Sequence, residues 1–335
     1  MKKMYLLIVL AGILFAWQPV RANLSFEQGL SDWTIEQRQD AWPGTQHEYT
    51  SDVVLDRASE GTKSVRLGAK IVGDYSQWQD IDKTQTIAWY NQTFNLTHAI
   101  SILIDMTDIQ RAEPQSYWGW GMDADLILSD GVNETRAMLW NYHEENTGLY
   151  GPPGLEDNLF DSIIAGADGT QWLRYQMELI PENWGLNDFG GGPLDILDLS
   201  AVKIGVVYAA ENWNSRPQTL WANGLVDNIK VEYETIIANI NVDPDTLNLK
   251  SKGSPVTVYT DIPFAQINPA TLALNGVPAY KAQPDDGGNL FCQFSRAQIQ
   301  AIVSPSEAEM VLTGTTFEGQ PVIGTDTIRV INPDK

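Results

Sequence analysis

Short stretches of apolar residues at alternate positions run along this chain, and turn residues separate them. Val65, Leu67 and Ala69 alternate with polar or small residues, and Met122 to Leu128 repeats the pattern before it stops at Ser129-Asp130-Gly131. A period of two is typical of a β-strand with one buried face. No window sustains the spacing of an amphipathic helix, so the sequence predicts an all-β fold.

Tryptophan is distributed unevenly and divides the chain. Eleven of the twelve tryptophans lie between residues 23 and 235, whereas residues 236–335 contain none. We therefore predict two domains, 23–235 and 236–335, each with its own core. Many short strands with long polar connections predict a jelly-roll β-sandwich for the first domain. Regularly spaced turns over about 100 residues predict a smaller immunoglobulin-like β-sandwich for the second.

The first 22 residues have the pattern of a secretory signal peptide. Lys2 and Lys3 precede an apolar run, Tyr5 to Trp17, that is too short to span a bilayer, and Val20-Arg21-Ala22 offers a cleavage point before Asn23. No cysteine follows the run, which argues against a lipoprotein anchor. We expect a mature chain without membrane insertion that is secreted or lies in the periplasm or at the cell surface, and we favour a bacterial source.

The charge balance is strongly acidic. Acidic side chains outnumber basic ones by 43 to 21, which gives a formal net charge of −22. This charge opposes binding to nucleic acid or to an anionic membrane and favours solubility and divalent cations. Cys292 is the only cysteine, so an intramolecular disulfide is excluded and stability must come from packed cores, with a bound metal as a further source. The oligomeric state is left open.

Three short segments of the first domain carry a resemblance to a known family. They are Phe26-Glu27-Gln28-Gly29 with Trp33 after it, the hairpin at Glu60-Gly61-Thr62-Lys63, and Val226-Asp227-Asn228-Ile229-Lys230-Val231. Together they resemble the calcium-binding jelly-roll carbohydrate-binding modules of the galactose-binding-like type. The resemblance implies a structural calcium ion and a polysaccharide or glycan as the partner. The start of the second domain, residues 240–253, resembles an immunoglobulin-like C-terminal module of secreted prokaryotic proteins.

The same resemblance implies that Glu27, Lys63 and Asp227 hold the calcium ion. In such modules the first and last strands lie side by side, which would bring Glu27 and Asp227 together. The turn before Lys63 would add backbone carbonyl oxygens, since Ca²⁺ takes six to eight oxygen ligands. The alternative is that Glu27 caps a turn and that Asp227 is a solvated residue at the end of a strand.

Aromatic and polar residues on shared strand faces are the candidates for a sugar site. A sugar presents flat C–H faces and many hydroxyls, so its site needs an exposed ring and polar groups that make paired hydrogen bonds. For any single tryptophan, the alternative is a place in the core. The residues that we predict to bind the ligand are Arg136, Trp140, Tyr142, Arg174, Gln176, Glu178 and Trp213.

Catalytic motifs have little support in this sequence. Jelly-roll hydrolases carry Glu-x-Asp-x-x-Glu on one strand, and the nearest approach, Asp123-Ala124-Asp125, lacks the third acid and both glutamates. We therefore predict a secreted, non-catalytic carbohydrate-binding protein. Two alternatives stay open. One is a polysaccharide lyase or glycoside hydrolase on the same scaffold, with acids that converge in a tryptophan-rich cleft. The other is a structural or adhesive cell-surface protein without a sugar site, which burial of every tryptophan would favour.

Overall fold

The computed structural model describes residues 22–24, 26–40, 46–55, 57–73, 82–112, 120–143, 155–158, 160–166, 168–185, 192–212 and 218–332. Most of the predicted signal peptide, residues 1–21, lies outside the described residues. The chain divides into two compact units between Glu232 and Tyr233. This division falls three residues before the predicted domain boundary.

The described chain up to residue 233 forms thirteen strands. Two single 3-10 turns, Pro181–Asn183 and Leu194–Ile196, interrupt the long connection before the twelfth strand. The strands are β1 (Ala22–Leu24), β2 (Trp33–Asp40), β3 (Gln46–Leu55), β4 (Lys63–Gly73), β5 (Asp82–Tyr90), β6 (Ala99–Arg111), β7 (Trp120–Ser129), β8 (Glu134–His143), β9 (Leu155–Asn158), β10 (Ser162–Ala165), β11 (Gln171–Glu178), β12 (Lys203–Asn212) and β13 (Gln218–Tyr233).

These strands form two sheets. Sheet I has the order β10-β11-β6-β13-β4-β3, with β1 also paired to β13, and sheet II has the order β2-β5-β12-β7-β8-β9. The chain passes repeatedly from one sheet to the other, as in β4 to β5 to β6 to β7, which is the connectivity of a jelly roll. The predicted all-β fold with a jelly-roll sandwich is confirmed.

The inner faces of the two sheets pack against each other. The Thr86 hydroxyl on β5 of sheet II donates a hydrogen bond to the Gly68 carbonyl on β4 of sheet I, over 2.6 Å. Large aromatic side chains fill the space between the sheets, among them the fully buried Trp120, Tyr175 and Tyr208. The opposite, outer face of each sheet is therefore where this sandwich can present groups to a ligand.

The second unit is also built from strands. Alongside them it has one 3-10 turn, Phe264–Gln266, and a short helix, α1 (Arg296–Ile302). The strands are β14 (Ile236–Asp243), β15 (Thr246–Asn248), β16 (Val256–Pro263), β17 (Ile267–Leu274), β18 (Val277–Pro278), β19 (Lys281–Pro284), β20 (Asn289–Phe294), β21 (Ser306–Thr316) and β22 (Pro321–Ile331).

Strand β14 pairs with two different strands of this unit. The first part of β14, Ile236 to Asn239, pairs in parallel with β22, and its second part, Ile240 to Asp243, pairs antiparallel with β16. The change of partner wraps the sheet around a core that contains the buried thiol of Cys292. The second unit is thus a small β-sandwich with its own core, and its immunoglobulin-like character stays a prediction. Among the described residues, no helix is long and apolar enough to cross a membrane.

Candidate functional site

The residues predicted to bind a sugar do not lie on one surface. Trp213 lies outside the described residues. The other six divide between β8 of sheet II and β11 of sheet I, which belong to opposite layers of the sandwich. These predicted ligand residues therefore do not form one binding face. The residues in β8 are Arg136, Trp140 and Tyr142, and those in β11 are Arg174, Gln176 and Glu178.

A β-bulge in β8 places two predicted ligand residues, Trp140 and Tyr142, on the buried face of the strand. Met138 pairs with Asp125, but Trp140 pairs with the adjacent residue of β7, so Leu139 is one extra residue in β8. An extra residue reverses the face on which all later side chains lie. Trp140 and Tyr142 therefore turn into the core, where they are 1% and 6% exposed.

Arg136 lies before the bulge, on the outer face of sheet II, but it is buried. Its Nη2 donates a hydrogen bond to Gln85 Oε1 over 2.9 Å, and its Nη1 lies 3.7 Å from Asp125 Oδ2. Burial lowers the pKa of this guanidinium, and the Asp125 carboxylate opposes that shift. Asp123 follows on the same face and is buried as well. The middle of this outer face is thus a buried charged band that a ligand does not reach.

Two of the three predicted ligand residues of β11 bind side chains of neighbouring strands. Arg174 makes a paired ion bridge to the buried Asp105 of β6, with Nε–Oδ1 and Nη2–Oδ2 distances of 2.7 and 2.8 Å. Gln176 Nε2 donates to Glu232 Oε2 over 3.1 Å. Glu178 is exposed at the end of the strand. These contacts fix Arg174 and Gln176 against the neighbouring strands, and Gln176 and Glu178 are the exposed members of the set.

An open cleft lies at one end of the outer face of sheet II. It has a volume of about 440 Å³ and crosses the ends of β2, β5, β12, β7 and β8. We refer to it as the end cleft. Its lining residues are Thr34, Ile35, Glu36, Arg38, Trp89, Thr93, Ser129, Asp130, Gly131, Glu134, Ala201 and Lys203.

The central group of the end cleft is a guanidinium between two carboxylates. Arg38 Nε and Nη2 donate to Glu36 over 2.7 and 3.1 Å, while Nη1 and Nη2 donate to Glu134 over 2.6 and 2.7 Å. Trp89 Nε1 donates to Glu36 Oε2 over 2.6 Å. The side chains of Arg38, Glu36 and Glu134 are nevertheless 32%, 39% and 30% exposed. They are held in fixed positions and remain open to solvent.

These contacts also set the protonation states in the end cleft. The hydrogen bond from Arg38 lowers the pKa of Glu36, and although partial burial opposes this shift, the Trp89 bond adds to it. Backbone N–H groups of Asn133, Asp198 and Val132 lower the pKa of the partly exposed Asp130 to about 2. Glu36 and Asp130 are therefore ionised acceptors at neutral pH.

The sequence contains a signal for the end cleft that the prediction did not use. Thr34, Glu36 and Arg38 alternate along β2 and so share one face. Glu134 is 96 positions away from Arg38, and only the order of the strands in sheet II brings the two together. Charged Glu36 and Arg38 alternate with uncharged Gln37 and Gln39 and so mark a charged face on β2, but the partner strand is not visible in the sequence.

Glu27, a predicted calcium ligand, holds one end of the turn at residues 59–63. Its Oε1 accepts hydrogen bonds from the backbone N–H groups of Thr62 and Lys63 over 2.7 and 2.8 Å, and its Oε2 accepts the Thr62 hydroxyl over 3.0 Å. Burial acts to raise the pKa of Glu27, but these bonds outweigh it and the pKa is lowered. Gly61 has a φ of +74°, and a Cβ there would collide with the Glu27 carboxylate, so the turn requires glycine.

Asp227 holds the other end of the same turn. Its Oδ2 accepts hydrogen bonds from the Ser59 N–H, the Ser59 hydroxyl and the Glu60 N–H over 2.9, 2.9 and 3.1 Å. Its Oδ1 is buried and accepts no hydrogen bond of normal geometry within the described part of the chain, although the adjacent Asn228 N–H favours the ionised carboxylate. Burial raises the pKa of Asp227 to about 6, although the hydrogen bonds from the turn oppose that shift. A buried carboxylate with one unpaired oxygen costs free energy when it ionises.

The fit of a calcium ion at this turn rests on Asp227. Its Oδ1 is the kind of oxygen that a hard cation binds, and the ion would satisfy it. At Glu27 both carboxylate oxygens are engaged, and Lys63 Nζ donates to the Glu27 carbonyl oxygen over 2.6 Å. Across the described ranges, no cluster of three or more His, Cys, Asp or Glu side chains could hold a metal. The remaining ligands would therefore be backbone carbonyls and water.

Comparisons with known proteins identify no family for this chain. No family model matches it, and no curated protein matches it. Among solved structures, it is similar to the Family 11 carbohydrate-binding module from Clostridium thermocellum in complex with a β-1,3-1,4-mixed-linked tetrasaccharide. The identity is 12% and the TM-score is 0.28, with 64% of this chain and 95% of that chain covered.

Two further structures show the same level of similarity. One is TmCBM27, a carbohydrate-binding module characterised for specific mannan recognition, with 14% identity, a TM-score of 0.27 and coverage of 65% and 99%. The other is the adhesin domain of Epf from Streptococcus pyogenes, with 8% identity, a TM-score of 0.36 and coverage of 94% and 98%. Because all three TM-scores are low, the function must be judged from the geometry of the site.

Proposed function

We propose that this chain is an exported, non-catalytic carbohydrate-binding protein, and that the end cleft of its first sandwich binds a neutral sugar. The observation that carries the proposal is the network around Arg38. One guanidinium lies between Glu36 and Glu134, and all three side chains are partly exposed on the wall of an open cleft of about 440 Å³. Groups that already hold each other in place lose little conformational freedom when a ligand binds.

The lining of the end cleft suits a molecule with many hydroxyl groups. Glu36 and Glu134 can accept hydrogen bonds from hydroxyls, while Arg38 and Lys203 can donate to them. The volume lies within the range of roughly 300–1,000 Å³ that small-molecule sites occupy. The carboxylates of the lining outnumber its cations, since Asp130 adds a third acid. Together with the net charge of −22, this disfavours acidic sugars and favours neutral ones.

The same contacts favour binding over hydrolysis. A glycosidase needs one carboxylic acid whose pKa is raised, so that it is protonated and can donate to the leaving oxygen. The pKa of Glu36 is shifted in the opposite direction by Arg38. Glu134 likewise accepts two hydrogen bonds from the Arg38 guanidinium. Both carboxylates are therefore arranged as hydrogen-bond acceptors.

We expect Glu134→Gln to weaken the binding of neutral polysaccharide at the end cleft about tenfold. The change keeps the shape of the side chain but removes a charged acceptor, and one hydrogen bond to a charged group contributes roughly 1.5–3 kcal/mol. Arg38→Met should have a similar or larger effect, because it releases both carboxylates. The measurement is affinity electrophoresis of the full chain in gels that contain β-glucan or mannan.

Glu178→Gln is the matched control for this experiment. It makes the same chemical change on the other sheet, at a residue that the sequence predicts to contact ligand. Melting curves of all three variants would show that each is folded. If polysaccharide in the gel slows Glu134→Gln as much as it slows the wild type, but no longer slows Glu178→Gln, the sugar site lies at β11 and not in the end cleft.

We further propose a structural calcium ion at the turn between Glu27 and Asp227, with Asp227 as its side-chain anchor. The support is the buried, unpartnered Oδ1 of Asp227. With free calcium tenfold above its dissociation constant, the ion would stabilise the fold by about 1.4 kcal/mol. We expect a chelator to lower the melting temperature of the wild type, and Asp227→Asn to abolish that response.

Glu27→Gln separates the two predicted acidic ligands. If Glu27 only caps the turn, this variant melts at a lower temperature but still responds to the chelator. If Glu27 also binds the ion, the response disappears as it does in Asp227→Asn. An identical wild-type melt with calcium and with chelator would contradict the calcium proposal.

A further inference from the structure

A second cleft lies on the outer face of sheet I, in the layer opposite to the end cleft. It has a volume of about 300 Å³ and crosses β3, β4 and β13. Two rows of paired residues form its floor. Trp221, Lys70 and Glu48 make one row, and Asn223, Gly68 and Thr50 make the next. We refer to it as the Trp221 cleft.

Trp221 differs from the other tryptophans that the structure describes. Six of the seven are buried, with exposures of 7% or less: Trp33, Trp89, Trp120, Trp140, Trp172 and Trp184. Trp221 alone among the seven is partly exposed. Its indole therefore offers the apolar, flat surface in solvent on which the C–H face of a pyranose ring can stack.

Gly68, on the floor of the Trp221 cleft, allows β13 to lie close to β4. A Cβ at residue 68 would lie 2.6 Å from Asn223 Cβ, so the close approach of β4 and β13 requires glycine there. Without a side chain between Asn223 on β13 and Thr50 on β3, the outer face has a depression next to Trp221. This depression is part of the cleft that Trp221 also lines.

Polar groups lie on both sides of the depression. Arg66 Nη1 donates to Asn223 Oδ1 over 2.7 Å, which fixes the amide and leaves its NH₂ group able to donate. On the other side, Lys70 Nζ and Glu48 Oε2 form an exposed ion pair over 2.9 Å. The cleft thus combines an aromatic surface with fixed donors and acceptors, and its Lys70 and Glu48 charges balance.

We propose that the Trp221 cleft is a second binding site for a neutral sugar, with a pyranose ring stacked on Trp221 and its hydroxyls bonded to Asn223, Lys70 and Glu48. The two clefts lie on opposite outer faces of one sandwich, so one molecule can hold two glycan chains at once. The ligand class rests on the proposed function, but the Trp221 cleft shares no residue with the end cleft.

Titration calorimetry of the full chain with cellotetraose and with mannotetraose tests this inference. We expect the wild type to bind two molecules of the better ligand. Trp221→Ala should bind one molecule, at the end cleft, and Arg38→Met should bind one molecule, at the Trp221 cleft. The double variant should bind none. The wild type, with two sites, should cross-link a soluble polysaccharide and make the solution turbid. With either single variant the solution should stay clear.

The outcomes separate the two proposals. One wild-type site that is lost in Arg38→Met and unchanged in Trp221→Ala overturns the second site and leaves the proposed function intact. No binding of either tetrasaccharide by the wild type overturns both. If Trp221→Ala lowers the melting temperature, Lys70→Met tests the same cleft at a partly exposed position, and we expect it to weaken the second site at least fivefold. If Lys70→Met binds the same number of tetrasaccharide molecules as the wild type with the same affinity, the Trp221 cleft is not a sugar site.

Discussion

Trp140→Ala is expected to lower the free energy of unfolding of the first sandwich by about 3–5 kcal/mol, the usual effect of removing a large aromatic side chain from a core. Trp140 is 1% exposed and lies after the β8 bulge, on the face that packs against sheet I. Chemical denaturation monitored by circular dichroism would measure the change. For a unit of this size, the melting temperature should fall by roughly 10 °C.

The sugar affinity of the folded Trp140→Ala protein should be close to that of the wild type, because Trp140 lines neither cleft. Trp140→Phe is the graded control and should lose less stability, since it keeps an aromatic ring in the same space. An unchanged melt combined with loss of binding would mean that Trp140 faces solvent after all. That result would require β8 to run without its bulge.

The fold could be predicted because its signals are local. Val65, Leu67 and Ala69 alternate in the sequence, and in β4 they are 0%, 0% and 2% exposed. Each such strand reports its own buried face through the spacing of its apolar residues. The concentration of tryptophan before residue 236 also reflects local composition, and the chain divides into its two compact units between Glu232 and Tyr233.

The site could be predicted less well because it depends on long-range pairing. The bulge at Leu139 inserts one residue into β8, and nothing in the local pattern of that strand marks it. It moves Trp140 and Tyr142 from the expected outer face to the core. The Arg38–Glu134 pair depends on the order of five strands in sheet II, which alternation within any one strand does not specify.

Asp227 should make the calcium-free protein less stable as the pH rises from 4 to 7. Burial raises its pKa in the folded state from 3.8 to about 6. A raised folded-state pKa means that the folded protein binds the proton more tightly than the unfolded chain does. The resulting stabilisation is fully present below pH 4 and is lost as the pH passes through 6. The shift corresponds to about 3 kcal/mol.

Urea denaturation in the presence of a chelator, at pH values from 4 to 7, would measure this loss. Asp227→Asn should remove it, because the amide is neutral throughout and can still accept the Ser59 and Glu60 hydrogen bonds through its oxygen. Near pH 7 the variant should therefore be at least as stable as the calcium-free wild type. Calcium added to the wild type should flatten the pH dependence, because a bound cation favours the ionised carboxylate and lowers its pKa. Parallel pH profiles for wild type and Asp227→Asn would show that Oδ1 finds a partner in solution, and would remove the main support for a cation at this turn.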